Sequence, residues 1–173
     1  RGVGNIKTSL SRLVNRGTIS QADADAAMGR LTPTTSLADL KDCDIVVEAI
    51  IENIGEKRKL FAELDGICKP ETILASNTSS MTIIEISGAT KRPERVGGVN
   101  FFNPVPMMKL VEVVKTLVTN DETIATLREF GQSLGKTPIL APDTTGFVVN
   151  RLLVPYLLDA ARGERSPHRI AQH

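Results

Sequence analysis

The residues able to do chemistry fall in four clusters along the chain. Glu48 and Glu52 close one apolar run, and Ser76-Asn77-Thr78-Ser79-Ser80 closes the next. Asn100 and Asn103 close a third, and Asp143-Thr144-Thr145-Gly146 leads into an apolar helical pattern that carries Asn150 and Arg151. Side chains of these types at the strand ends of an α/β sheet point to a ligand-binding crevice there. The two cysteines, Cys43 and Cys68, share no metal-ligand spacing, so no metal is expected. The two histidines, His168 and His173, lie in a polar tail, so no cluster holds an imidazole. The plain alternative is that these residues cap helices and close turns, a common use of Ser, Asn and Asp. That alternative is weakest for Asn150 and Arg151, which interrupt an apolar pattern.

Strands and helices must bring the clusters together. Ile6, Leu10, Leu13 and Val14 recur at helical spacing and predict a helix over 3–15, stopped by Gly17. Ser20 and Asp23 form a variant capping box for a second helix. Pro33 keeps 31–35 extended, and 37–40 reads as a helical turn. The run 44–51, apolar after Asp44 except for Glu48, predicts a central parallel strand. There follow a helix over 56–68, a strand over 72–76, a helix over 80–86 and a strand over 95–102. An alternating strand over 109–114 precedes a helix opened by 119–122 and ended by Gly135. A strand over 138–141 leads to a last helix bearing Val149, Leu152, Leu153 and Leu157. Strands alternating with helices define a doubly wound α/β domain, in which polar residues at the strand ends meet in one crevice.

Length and composition agree with this. The 173 residues suit one domain. Aromatics are only 3% with no Trp, so the core is built from Val, Ile, Leu and Ala, as buried parallel strands require. The net charge of +1 gives no long-range field toward nucleic acid or an anionic membrane, and neither is expected as a partner. No apolar run reaches the length of a membrane span. Cys43 and Cys68 read as two buried free thiols, which points to a reducing, cytoplasmic compartment.

A dinucleotide domain carries a Gly-x-Gly-x-x-Gly turn between its first strand and helix. Gly2-Val3-Gly4 follows no strand and does not qualify, so motif chemistry alone does not establish nucleotide binding. The chain opens without Met inside a helical pattern and ends in a polar stretch without helical periodicity, so both ends read as cut or altered.

Four motifs nevertheless occur in one consistent order. They are Asp44-Ile-Val-Val-Glu-Ala-Ile-Ile-Glu52, Ser76-Asn-Thr-Ser-Ser80, Phe101-Phe-Asn-Pro-Val-Pro-Met-Met-Lys-Leu-Val-Glu-Val113 and Thr145-Gly-Phe-Val-Val-Asn-Arg151. Over about residues 1–160 the chain resembles the 3-hydroxyacyl-CoA dehydrogenase family, most of all its 3-hydroxybutyryl-CoA type. The resemblance implies a partial Rossmann-like, doubly wound sheet lacking its first strands, over 1–143. The first helix of an all-α C-terminal domain would cover 144–161, and 162–173 would be an aberrant tail. It implies NAD as cofactor, with NADP left open because the ribose-binding acid would precede residue 1. It also implies an acyl-CoA substrate and a homodimeric parent.

By motif, the family's histidine base falls on Asn100 and its orienting glutamate on Glu112. Ser79 and Asn150 fall where the substrate's reacting oxygen is held, although Ser79 could instead cap the following helix. Glu52 and Lys57 fall near the nicotinamide ribose, with a solvated surface lysine as the alternative for Lys57. Asn77 lines the cofactor cleft or simply makes a turn. Phe101, Phe102, Pro104 and Pro106 shape a loop, and Met107 and Met108 fill core gaps in preference to touching an acyl chain. Asparagine does not titrate near neutrality and cannot take the alcohol's proton, so the expected outcome is a silent or severely impaired dehydrogenase. The other reading is a family member that lost catalysis and kept a binding or structural role.

Overall fold

The computed structural model describes residues 2–164. The chain divides into two compact units, Arg1–Asp39 and the remainder from Leu40 onward. In the first, α1 (Gly2–Asn15) and α2 (Gln21–Gly29) form a helical pair. Ser20 caps α2 through a reciprocal box: its hydroxyl accepts from Asp23 N–H while the Asp23 carboxylate accepts from Ser20 N–H. The Ser20 hydroxyl, which donates to Asp23 Oδ2 at 2.7 Å, and then the Ser20 N–H hold the exposed Asp23 carboxyl below its usual range. Gly2 and Gly4 lie within α1, so they form no phosphate turn.

The second unit is an α/β layer structure of Rossmann-like form. Its elements run β1 (Ile45–Glu48), α3 (Ile54–Ile67), β2 (Ile73–Ser76), α4 (Ile83–Ser87), β3 (Val96–Phe101), β4 (Leu110–Lys115), α5 (Asp121–Ser133), β5 (Thr137–Pro142) and α6 (Val149–Glu164). The sheet order is β1-β2-β3-β4-β5. All neighbours are parallel except β3 and β4, which are antiparallel. The reason is local. Parallel strands need a crossover of a dozen residues or so, whereas the 102–109 link is a short loop that returns the chain directly.

The run at 45–48 was expected at the centre of the sheet; among the described residues it is an edge strand. Its residues are accordingly half-buried up to Glu48, whereas β2 is buried throughout. One face of the sheet is sealed by α5: Ile73, Ala75, Val99, Val111, Val113, Ile124 and Leu127 form one buried cluster. On the other face Ile83 of α4 lies against Gly98 and Val114. A Cβ at Gly98 would stand 2.7 Å from the Val114 Cβ, so only glycine lets β3 and β4 pair there.

Three further expectations change. Met107 and Met108 are 78% and 40% exposed, so neither fills the core. Cys43 is half-buried and only Cys68 is buried. Burial pushes the Cys68 thiol up despite the nearby Arg92 cation. Helix α6 continues past Ala161 to Glu164 with Pro155 inside it, while the rest of the tail, with His168 and His173, lies outside the described residues. No helix among the described residues is long and apolar enough to cross a membrane.

Candidate active site

Register alone gathers the polar clusters. Because β1, β2 and β3 are parallel, their C-terminal tips share one end of the sheet. Glu48 pairs with Ser76, Ser76 with Gly98, and two residues beyond Gly98 stands Asn100, directly across from Glu112 on β4. Cross-strand partners project to the same face. Asn100 and Glu112 therefore stand side by side on the face opposite the α5-sealed core.

The turn after β2 is fixed at both ends. Asn77 N–H donates to the Glu48 carbonyl at 2.8 Å, and the Asn77 Oδ1 accepts from Phe101 N–H at 2.9 Å, clamping the turn to β3. The buried Thr78 hydroxyl accepts from Met81 N–H at 3.1 Å. Ser79 does not cap α4. Thr82 occupies the cap position without a side-chain bond to the helix backbone, and the Asp143 carboxylate supplies the acceptors instead. It takes Ile83 N–H at 2.6 Å and Ile84 N–H at 2.7 Å from sixty residues away. Asp143 thus pins the start of α4, and with it the Ser79 turn, to the end of β5. Asp143→Ala is expected to cost about 1–2 kcal/mol, a helix cap's worth, in a urea denaturation midpoint.

After β5 the chain turns sharply at Gly146 (φ +75°) and Phe147 (φ 48°) to begin α6. A positive φ is costly for a phenylalanine, and the buried ring holds it in place. The turn aims two backbone donors at one carboxylate: Val148 N–H and Val149 N–H reach Glu112 Oε1 at 3.0 and 2.9 Å. Glu112 Oε2 accepts from Asn100 Nδ2 at 2.8 Å. Glu112 is 0% exposed and Asn100 3%. The carboxylate is therefore the N-terminal anchor of α6 as well as the partner of Asn100. On the next residue of α6, Asn150 Nδ2 donates to the Ser79 carbonyl at 3.2 Å. Ser79, Asn100, Glu112 and Asn150 are thereby joined at one place. The Ser79 hydroxyl, the Asn100 Oδ1 and the Asn150 Oδ1 have no hydrogen-bond partner among the described residues.

At the tips of β1 and β2 lies a second polar group. Lys57 is no solvated surface residue; it is fully buried, with its ammonium 2.7 Å from Glu48 Oε1. Glu52 is held by the Thr78 hydroxyl at 2.8 Å and keeps a side chain 45% exposed. The groups left open across the site are thus hydroxyl, carboxamide and one carboxylate, while the buried cation is already neutralised. That set suits the sugar-and-amide end of a dinucleotide and not its phosphates. Sequence reading placed Glu48 among the polar tips without a partner and gave no role to Ser76, Thr78 or Asp143. Their contacts span 26 to 60 residues and leave no local pattern.

A Rossmann-like sheet with its polar side chains collected at the strand tips is the architecture of a nucleotide-binding domain. Residues 1–144 match the sequence model described as "3-hydroxyacyl-CoA dehydrogenase, NAD binding domain", and the chain belongs to that family. It is 48% identical over 163 residues to a 3-hydroxybutyryl-CoA dehydrogenase of Mycobacterium tuberculosis, covering 93% of this chain and 57% of that protein. The corresponding protein of Clostridioides difficile is 44% identical over 152 residues, 88% of this chain and 54% of its own. The crystal structure of (S)-3-hydroxybutyryl-CoA dehydrogenase from Ralstonia eutropha superimposes with a TM-score of 0.92 at 42% identity, covering 96% of this chain and 60% of that one. The chain therefore spans a little over half the length of these relatives.

Proposed function

We propose that this chain carries the nicotinamide side of the active site of an NAD-dependent dehydrogenase. Its reaction interconverts a short-chain 3-hydroxyacyl-CoA and the 3-oxoacyl-CoA, and Asn100 leaves it without its general base. The observation that carries this reading is the Asn100–Glu112 pair, a carboxamide seated on a buried carboxylate at 2.8 Å beside Ser79 and Asn150. NAD, when bound, supplies the hydride acceptor. The chain's own groups supply the rest. The Ser79 hydroxyl can donate to the substrate's carbonyl oxygen, and the Asn150 Oδ1 can accept from its hydroxyl. Glu52 faces the cofactor sugar, and Lys57 acts behind it. Asn100 can accept a hydrogen bond from the alcohol through Oδ1, yet it cannot retain the proton.

The test is reduction of acetoacetyl-CoA by NADH, followed by NADH absorbance, with the protein and its Asn100→His variant. A gain with histidine supports the reading, and equal, substantial rates contradict it. The seating of the Asn100 amide nitrogen on Glu112 also favours a second reading, a family member that binds without catalysis. Tight acetoacetyl-CoA binding with no turnover in either form would select it.

A further inference from the structure

The buried Lys57 ammonium has two carboxylates in reach and is held unequally by them. Glu48 Oε1 stands at 2.7 Å and Glu52 Oε1 at 3.6 Å. Glu48 is held on both oxygens: Oε1 also accepts from Ile50 N–H at 2.5 Å, and Oε2 accepts from the Ser76 hydroxyl at 2.6 Å. The Lys57 and Glu48 side chains are each 1% exposed. A buried ion pair is not required for stability, since apolar residues of similar volume serve as well. What the pair fixes is where the ammonium stands.

We infer that Glu48 is a positioning residue. By keeping the Lys57 ammonium to itself, it leaves the Glu52 carboxylate, tethered by the Thr78 hydroxyl, free to accept from the sugar hydroxyls of a bound dinucleotide. The cluster holds one cation and two carboxylates, so its open side is anionic and suits hydroxyl donors over phosphate. Without Glu48, the ammonium has Glu52 as its nearest counter-charge and draws that acceptor out of the cleft. The inference rests on the chain's reading as an NAD-binding domain.

Glu48→Gln keeps the side-chain length and an acceptor oxygen while removing the charge. Two readouts separate positioning from general structure. Lysine acetylation mapped by mass spectrometry should find Lys57 protected in the parent and labelled several-fold faster in Glu48→Gln. An NADH fluorescence titration should show affinity roughly tenfold weaker, the loss of one charge-assisted acceptor. In Glu48→Gln/Lys57→Met the stray ammonium is gone, and NADH affinity should equal that of Lys57→Met alone, because Glu48 acts only through Lys57. If Glu48→Gln fails to fold, this neutral pair decides: equality with Lys57→Met supports the inference, and weaker binding overturns it. Unchanged Lys57 labelling, or unchanged NADH affinity, in a folded Glu48→Gln also overturns it. A parent that binds no NADH would sink the cofactor reading, while the labelling arm still decides whether Glu48 holds Lys57.

Discussion

Asn100→His should raise acetoacetyl-CoA reduction by about 10²–10⁴-fold, the usual worth of a positioned general acid–base. The site is already built to receive the imidazole. Glu112 Oε2 now accepts one N–H from Asn100, and it would accept one ring N–H from a histidine at the same position. That bond would orient the ring and stabilise its charged form, as in other histidine–carboxylate pairs. The Ser79 and Asn150 groups that would face the substrate are untouched by the change. The gain should therefore appear in kcat far more than in the KM for the acyl-CoA. A gain of less than about tenfold would mean that something other than the missing base limits the reaction.

Glu112→Ala should be the most destabilising single change at the site, at roughly 3 kcal/mol or more. Three donors lose their acceptor at once: Asn100 Nδ2, Val148 N–H and Val149 N–H. Each buried unsatisfied donor costs about 1–3 kcal/mol. The loss also frees the start of α6 and with it Asn150. Glu112→Gln should cost within about 1 kcal/mol, because its carbonyl can keep both backbone bonds while its amide donates to a rotated Asn100. Urea midpoints of the two variants check this. An alanine variant no weaker than the glutamine variant would show that the carboxylate does not anchor α6.

The strands and helices were legible because apolar runs and caps are local features. The capping box at Ser20 and Asp23 follows from residues three apart and formed as expected, and the helix opened by 119–122 begins with Asn120 as its cap. The strand order was not local. The run at 45–48 has the composition of a central strand, yet nothing within it states which neighbours pair with its edges. β4 is buried from Val111 through Val114, as its apolar residues around Glu112 suggest, because it is flanked by β3 and β5. At the site, position at the strand ends brought Ser79, Asn100 and Asn150 to one crevice, and Glu112 was added only by the family resemblance. The supports of that meeting were hidden: Asp143 on the start of α4, Thr78 on Glu52, and Glu48 around Lys57. A buried lysine and a solvated one look alike in sequence, since only the distant carboxylate distinguishes them.

The central claim is that the position facing Ser79 and Asn150 carries no group able to exchange a proton near neutrality. The pH dependence of acetoacetyl-CoA reduction between about pH 5.5 and 8 tests it most directly, since an imidazole titrates near ~6.5. Reduction needs the protonated donor, so a histidine-bearing site slows as pH rises through that value. The account predicts a slow rate with no such bend for the Asn100 protein and the bend's appearance in Asn100→His. A neutral-pH bend already present with Asn100 would contradict it.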